Sequence, residues 1–412
     1  MQERALLCGK RPQVPVNHLL TPLVFAQAVV AHRTIGSRRR NQMEAASGII
    51  MGRGERTYTP RVRTTRPLGS SLSANAPPAK PHPRPVAMDG LWYIPSPLAQ
   101  RLHQKSALGQ LTKDGGILLT VEEVMFSHWY RHVPLPHDGD WLGEQIDTDS
   151  SVLSRIIVMD VMRNGGELVV PVTHLKERFS HLHGATWAVR WQRHESWKKH
   201  DGFSQIRFQR THDLIDWDEL QDWVETVVSQ GHRPELCVMD DELDLTIYML
   251  SHELPAGDQR VPDDLSENES AELIDSLNQG VALEGGYFIS DDLKWALPAF
   301  GIPHLSGRYL REEEYRYLVH DNNADSLYQH LAAQRLLLRP GFKYGCKWRV
   351  YETEINAEHA PWLVQPVVMA AETWEGVCLS VRLAEGVNKR WLCAIPDEDS
   401  WRFLSIRRSI GV

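Results

Sequence analysis

In RPGFKYGCKWRVYETEINAEHAPWLVQP (residues 339–366), two glycines, Gly341 and Gly345, bracket three residues between runs dense in leucine, valine and aromatic side chains. Glycine tolerates the backbone angles of a reversal, so GFKYG predicts a turn. The flanking runs LLLRP (336–340) and CKWRVYE (346–352) predict strands, and APWLVQPVV (360–368) predicts a third. Outward from this hairpin, REEEYRYLV (311–319) and SLYQHLAAQRL (326–336) carry helical patterns, while a helix or turn and then the strands RWLCAI (390–395) and WRFLSIR (401–407) follow it. Helices grouped before consecutive strands, rather than strict alternation, define an α+β unit.

A similar order of elements runs earlier in the chain. The strand ILL (117–119) precedes Thr120 and Glu123, spaced as a capping box, and the helix VEEVMFSHWY (121–130). A helix from Val152 to Arg163 ends at Gly165 and Gly166, and ELVVPV (167–172) predicts a strand. WAVRWQ (187–192) and FSQIRFQ (203–209) follow as strands, then a helix capped by Asp216 with Glu219 and stopped by Gly231, then strands ELCVM (235–239) and LTIYML (245–250). In that helix Trp217, Leu220, Val224 and Val227 share one face, which assigns Trp217 and Trp223 to a core rather than to base stacking. ATWAVR (185–190) echoes CKWRVY (346–351), and ELCVMDDE (235–242) echoes WLCAIPDE (391–398). We therefore expect a tandem repeat of one α+β unit. The boundaries are 1–87 as a basic extension without regular structure, 88–255 as the first unit, 256–274 as a polar linker, and 275–412 as the second, itself divided at 338/339.

A chain of 412 residues exceeds what one hydrophobic core usually supports. Its 42% apolar and 24% charged residues are those of a globular protein. The net charge of −8 conceals an asymmetry. Residues 1–88 hold 14 Lys/Arg against 3 Asp/Glu, and the remainder 31 against 50. A basic tail of this kind can contact phosphates without sequence preference. The five cysteines form no CxxC pair, which favours a reducing compartment and no structural metal. The longest apolar run, Leu19–Ala31, is interrupted by Pro22 and Gln27 and is too short to span a bilayer, so the expected location is cytoplasmic with no membrane partner.

Motifs for several chemistries are absent. There is no Walker loop, GxGxxG or GxSxG, and HESWKKH (194–200) lacks the one-turn spacing of a zinc-protease pair. The acidic run Asp240, Asp241, Glu242 and Asp244 lacks the central glycine and distal glutamate of a calcium loop.

What remains is an ordered constellation in the second unit: the GFKYG turn, a strand ending in RVY, a histidine before WLV, and RLAEGVNK ahead of an apolar strand. This arrangement resembles the catalytic domain of archaeal tRNA splicing endonucleases of the fused, homodimeric two-unit type. The resemblance is clear over 326–412 and weak over 89–250, which looks like a degenerate copy. It implies an α/β N-terminal and a mixed-sheet, nuclease-like C-terminal subdomain in each unit. It also implies a catalytic set of Tyr351, His359 and Lys389. Cleavage of RNA by its own 2'-OH needs a base, an acid for the departing 5'-oxygen, and a cation for charge building on phosphorus. The family gives these roles to tyrosine, histidine and lysine, without cofactor or metal, leaving a 2',3'-cyclic phosphate and a 5'-OH.

Further implications are base-sandwiching by Arg382, with Arg402 and Trp401 as additional RNA-binding candidates, and assembly through the acidic loop at Asp240, Asp241, Glu242 and Asp244. The partner implied is precursor tRNA with a bulge-helix-bulge junction, cut by a homodimer with two active sites. Matching the echoes letter by letter puts Arg190 at the place of Tyr351 and Arg233 at that of Lys389; His200 is a candidate counterpart of His359, but a histidine alone makes no cleavage site, so the first unit is expected to be inactive. A non-catalytic RNA-binding or structural subunit and a metal-dependent nuclease are the alternatives.

Overall fold

The computed structural model describes residues 81–175, 178–290, 295–321, 325–355, 359–398 and 400–409. The expectation of an unstructured extension at 1–87 falls outside these for residues 1–80; within them, a strand already begins at Val86.

The chain opens with β1 (Val86–Met88), β2 (Leu91–Ile94), α1 (Leu98–Ser106), β3 (Gln110–Leu111) and β4 (Ile117–Leu119), then α2 (Val121–Arg131), α3 (Trp141–Thr148) and α4 (Val152–Asn164). Next come β5 (Leu168–Pro171), β6 (Ala188–Trp191), β7 (Ser204–Arg210), α5 (Trp217–Ser229), β8 (Arg233–Met239) and β9 (Leu245–Glu253). A second series holds α6 (Glu267–Asn278), β10 (Val281–Leu283), β11 (Gly286–Ile289), β12 (Ile302–His304), β13 (Gly307–Arg311), α7 (Glu312–Leu318) and α8 (Ser326–Ala333). It ends with β14 (Leu337–Pro340), β15 (Trp348–Tyr351), β16 (Trp362–Pro366), α9 (Trp374–Gly386), β17 (Arg390–Asp397) and β18 (Ser400–Arg408).

These strands build two small sheets, ordered β1-β2-β4-β3 and β10-β11-β13-β12, and one ten-stranded sheet, β14-β15-β16-β17-β18-β9-β8-β7-β6-β5. Each half of the large sheet repeats one pairing sequence from its edge inward: antiparallel, antiparallel, parallel, antiparallel. The halves meet where β18 pairs antiparallel with β9, from Phe403↔Glu253 to Arg408↔Tyr248. The seam is apolar as well as hydrogen-bonded. Trp223, Val224 and Val227 of α5 and Val377, Val381 and Ala384 of α9 bury into one cluster with Tyr248, Leu250, Leu404 and Ile406 from the central strands. The fold is thus α+β, and Trp223 is fully buried as its helical face predicts.

Local chemistry accounts for the element ends. The Asp216 carboxylate accepts the Glu219 N–H at 2.9 Å, fixing the start of α5. At the 341–345 turn, Phe342–Tyr344 makes one 3₁₀ turn and Gly345 takes φ 67°. A Cβ on Gly341 would lie 2.2 Å from Cys346 Sγ, so the glycine is needed there. Glu123 at the start of α2 accepts the Thr120 N–H at 3.0 Å and, across the unit, the Gly109 N–H at 2.8 Å. Glu314 in α7 repeats this with the N–H groups of Arg311 (2.9 Å) and Gly301 (3.1 Å).

The segment expected as a linker differs in the structure. Gly257, Asp258 and Gln259 donate backbone N–H groups to Gln334, Glu352 and Arg335, and α6 begins at Glu267 under a Ser266 cap. Its polar composition reflects a helix that buries only Leu273 and Leu277. No helix among the described residues is long and apolar enough to cross a membrane. Cys237, Cys346, Cys378 and Cys393 are free and buried.

Candidate active site

β15 runs antiparallel to β16, and β16 parallel to β17, so the C-terminal end of β15 lies beside the N-terminal ends of the other two. The last rung across all three strands is Val350–Trp362–Arg390. Tyr351 follows Val350, Lys389 precedes Arg390, and His359 lies three residues before Trp362, so one end of the sheet receives all three. Side-chain contact tightens this placement. Lys389 Nζ donates to the Ala360 carbonyl, next to His359, at 2.6 Å, and the Arg390 N–H donates to Pro361 at 2.9 Å. Asn388, at φ 55°, turns the chain out of α9 and delivers Lys389 to that position.

Tyr351 is 7% exposed, whereas His359 is exposed. Partial burial lowers the Lys389 ammonium below the ordinary lysine value, and the nearby Arg349 guanidinium lowers it further. That guanidinium sits 5.9 Å from the Tyr351 ring centroid and 5.6 Å from that of Tyr344, with Nε donating to the Pro340 carbonyl at 3.1 Å. Arg349 is the residue that sequence reasoning missed. Its signal was the two-residue spacing to Tyr351, which puts both on one face of a strand. The site therefore combines a phenol, an exposed imidazole, and an ammonium accompanied by a second fixed cation. Such a set can exchange protons and stabilise an anionic phosphorane. Among the described residues, no group of three or more His, Cys, Asp or Glu side chains is placed to hold a metal ion.

The other candidates lie apart from this cluster or are engaged. Arg382 is exposed on α9, and its charge faces the buried hydroxyl of Tyr248. Arg402 is held by Glu225 (3.1 Å) and Asp397 (2.8 Å), and Trp401 packs half-buried on the core. Asp240, Asp241, Glu242 and Asp244 are all exposed in the β8–β9 turn, where the Asp240 carboxylate accepts the N–H groups of Glu242 and Asp244.

The corresponding end of the first half has different chemistry, and its register corrects the letter-by-letter match. Its last rung is Arg190–Ser204–Arg233. Arg190 thus stands where Val350 does and Arg233 where Arg390 does, one residue from the expected places; Trp191 occupies the position of Tyr351 and His232 that of Lys389. His200 falls one residue short of the place of His359. The echo WAVR/WRVY misleads because similar letters carry no information on which rung they occupy. Trp191 is fully buried and donates Nε1 to the His200 carbonyl at 2.7 Å. Burial lowers the His232 pKa, and its Nδ1 lies 2.9 Å from Gln205 Nε2. Arg190 is locked to Glu235 and Glu167. The positions equivalent to Tyr351 and Lys389 thus hold neither a phenol nor an aliphatic ammonium.

Residues 325–402, the segment that carries Tyr351, His359 and Lys389, match the family described as tRNA intron endonuclease, catalytic C-terminal domain. Curated relatives agree. The chain is 35% identical over 118 residues to a tRNA-splicing endonuclease of Picrophilus torridus, covering 28% of this chain and 39% of that protein. It is 34% identical over 134 residues to one of Thermoplasma volcanium (30% and 41%) and 32% identical over 73 residues to one of Methanopyrus kandleri (18% and 41%). The chain spans about two fifths of the length of these curated relatives.

Proposed function

We propose that the protein is an endoribonuclease that removes introns from precursor tRNA at bulge-helix-bulge junctions. The observation that supports it most is the meeting of Tyr351, His359 and Lys389 at one end of β15, β16 and β17, inside the matched segment. Tyr351 takes the proton of the attacking 2'-OH, with the Arg349 guanidinium 5.9 Å from its ring centroid. His359 protonates the departing 5'-oxygen, a role suited to an exposed imidazole. Lys389, fixed by the Ala360 carbonyl, faces the charge building on phosphorus. No water or metal enters this sequence, so the products are a 2',3'-cyclic phosphate and a 5'-OH.

Two cuts per intron and one catalytic end per chain call for two chains, hence a homodimer. The exposed acidic turn at Asp240–Asp244 is a docking element for that assembly, and Arg382 stacks on a bulged base. A bulge-containing transcript with 2'-deoxyribose at one junction tests the chemistry. The substituted junction should stay intact in EDTA while the other is cut, leaving cyclic-phosphate ends. Cutting at the deoxy junction, or 3'-OH ends, would refute the mechanism. No cutting of any transcript would leave the RNA-binding subunit in its place.

A further inference from the structure

The loop joining β6 to β7 (192–203) is the topological counterpart of the loop joining β15 to β16, which carries His359. It cannot repeat that chemistry, yet it is a built structure. The Gln192 N–H donates to Glu195, the N–H groups of Lys199 and His200 donate to the Ser196 carbonyl, and Trp191 Nε1 donates to the His200 carbonyl. Arg178 ties its far side by donating to the carbonyls of Trp197 and His200 and pairing with Asp201 at 2.8 Å. Trp197 anchors it, edge-on to Trp191 and His103.

From this frame Arg193, His194, Lys198, Lys199 and His200 project exposed. Arg193, Lys198 and Lys199 have no carboxylate ion pair among the described residues. Elsewhere in the chain Arg155, Arg207, Arg260, Arg335, Arg390 and Arg408 each hold one. The loop's own carboxylates are engaged: Glu195 with the Gln192 N–H and Asp201 with Arg178, while neighbouring Glu167 is paired with Arg190. Beyond residue 88 the chain has 31 Lys/Arg against 50 Asp/Glu, so a cationic surface here runs against the overall charge. The cations are strung along the loop rather than gathered around a pocket. That arrangement suits a line of phosphates better than a single carboxylate-bearing turn of a second copy.

We propose that the 192–203 loop binds the phosphate backbone of the RNA substrate outside the cut junction. This rests on the endonuclease function proposed above. Strands β16 and β7 stand five strand positions apart, about 24 Å at the usual spacing, and run in opposite directions, so the two loops leave opposite ends of the large sheet and only an RNA extending well beyond the cut junction reaches both. A mature tRNA body is recognised by shape and backbone rather than by base edges, as the contacts here allow.

The test compares wild type with the double variant Lys198→Glu/Lys199→Glu and, separately, Arg193→Gln, on a full-length intron-containing transcript and on a minimal bulged duplex. The double variant should bind the full transcript at least ten-fold more weakly. The slope of log K against log salt should flatten by about 1.5, with cutting of the minimal duplex unchanged. Arg193→Gln should move the same readings by about half. Unchanged binding of the full transcript would overturn the proposal. So would an equal loss on both RNAs, which would mean the loop acts through the fold or the site, or loss of the dimer in ultracentrifugation, which would assign the loop to a second copy. If wild type cuts neither RNA, the endonuclease function fails, while the binding comparison still decides the loop.

Discussion

Glu123→Gln, set beside Glu314→Gln, asks whether two equivalent buried carboxylates respond to pH as their partners require. Both are 0% exposed. Glu123 accepts from Gly109 N (2.8 Å), Thr120 N (3.0 Å) and His174 Nε2 (2.7 Å). Glu314 accepts from Gly301 N (3.1 Å), Arg311 N (2.9 Å) and Arg339 Nη1 (3.0 Å). Glutamine retains one acceptor and turns an NH₂ toward a donor, so each variant leaves a buried N–H or cation unpaired. Breaking a buried pair from one side costs about 3–5 kcal/mol, and that is the loss expected of each variant near pH 6.

The two then part company in alkali. Burial alone would lower the His174 pKa, but the facing Glu123 carboxylate outweighs it and holds the imidazole above its ordinary 6.5. A raised folded value means that its contribution is whole below 6.5 and is lost as pH rises through the folded value. For Glu123, burial pushes upward, and His174 together with the Gly109 and Thr120 N–H groups more than offsets it, so its value is depressed below 4.5. That contribution is present above 4.5 and lost only as pH falls through the depressed value. Arginine does not titrate in this range. Raising the pH from 6 to 9 progressively removes the imidazolium from the wild-type first unit, so Glu123→Gln should cost less at pH 9 than at pH 6. Glu314→Gln should cost the same at both. Urea unfolding at the two pH values, read for each unit by pulse proteolysis and mass spectrometry, measures this. A Glu123→Gln penalty that is equal or larger at pH 9 would refute the reasoning.

Three further outcomes follow from named contacts. Lys389→Ala should reduce the single-turnover cleavage rate at saturating RNA about 10²–10³-fold, the usual cost of removing one preorganised donor to a developing oxyanion; a rate within a few-fold of wild type would remove the lysine from the mechanism. Asp216→Ala, which deletes the cap of α5, should cost about 1 kcal/mol in urea unfolding and leave cleavage unchanged. Burial pushes the Cys346 thiol up to about 12, so iodoacetamide at pH 8 should leave it unmodified in the native protein and alkylate it once urea unfolds the chain.

Much of the large sheet was legible because its strands are β-branched and aromatic runs ended by glycine or proline, a signal that survives in a single sequence. Of the small sheets only β4 was, as ILL at 117–119, since β1, β3, β10 and β12 have only two or three residues each, too few to show alternation. Thr120 and Glu123 were legible as a cap. That the same carboxylate is fully buried against His174, 51 residues away, depends on packing that no local pattern encodes.

The hardest thing to read was the difference between the corresponding ends of the two halves, because it lies one layer beneath the residues proposed to do chemistry. Under Tyr351 the strands supply Trp348, Val350, Trp362, Val364 and Leu392, all buried in one apolar cluster. Counting rungs inward in the first half, Glu235 stands where Leu392 does, Arg190 where Val350 does and Ser204 where Trp362 does. These three are bonded to one another, with Arg190 on both Glu235 oxygens and the Ser204 hydroxyl donating to Glu235 at 2.6 Å. The apolar floor at these rungs places no carboxylate under the ammonium, and the charge that reaches Tyr351 from inside the fold is the buried Arg339 guanidinium. A floor that already contains Glu235 would neutralise any cation placed above it and oppose a phenolate. Restoring Tyr and Lys to the positions of Trp191 and His232 should therefore not create a cleavage site unless Arg190, Ser204 and Glu235 are replaced by apolar residues as well. Cleavage by the two-residue variant, with Lys389 removed from the second half, would show that the floor does not matter.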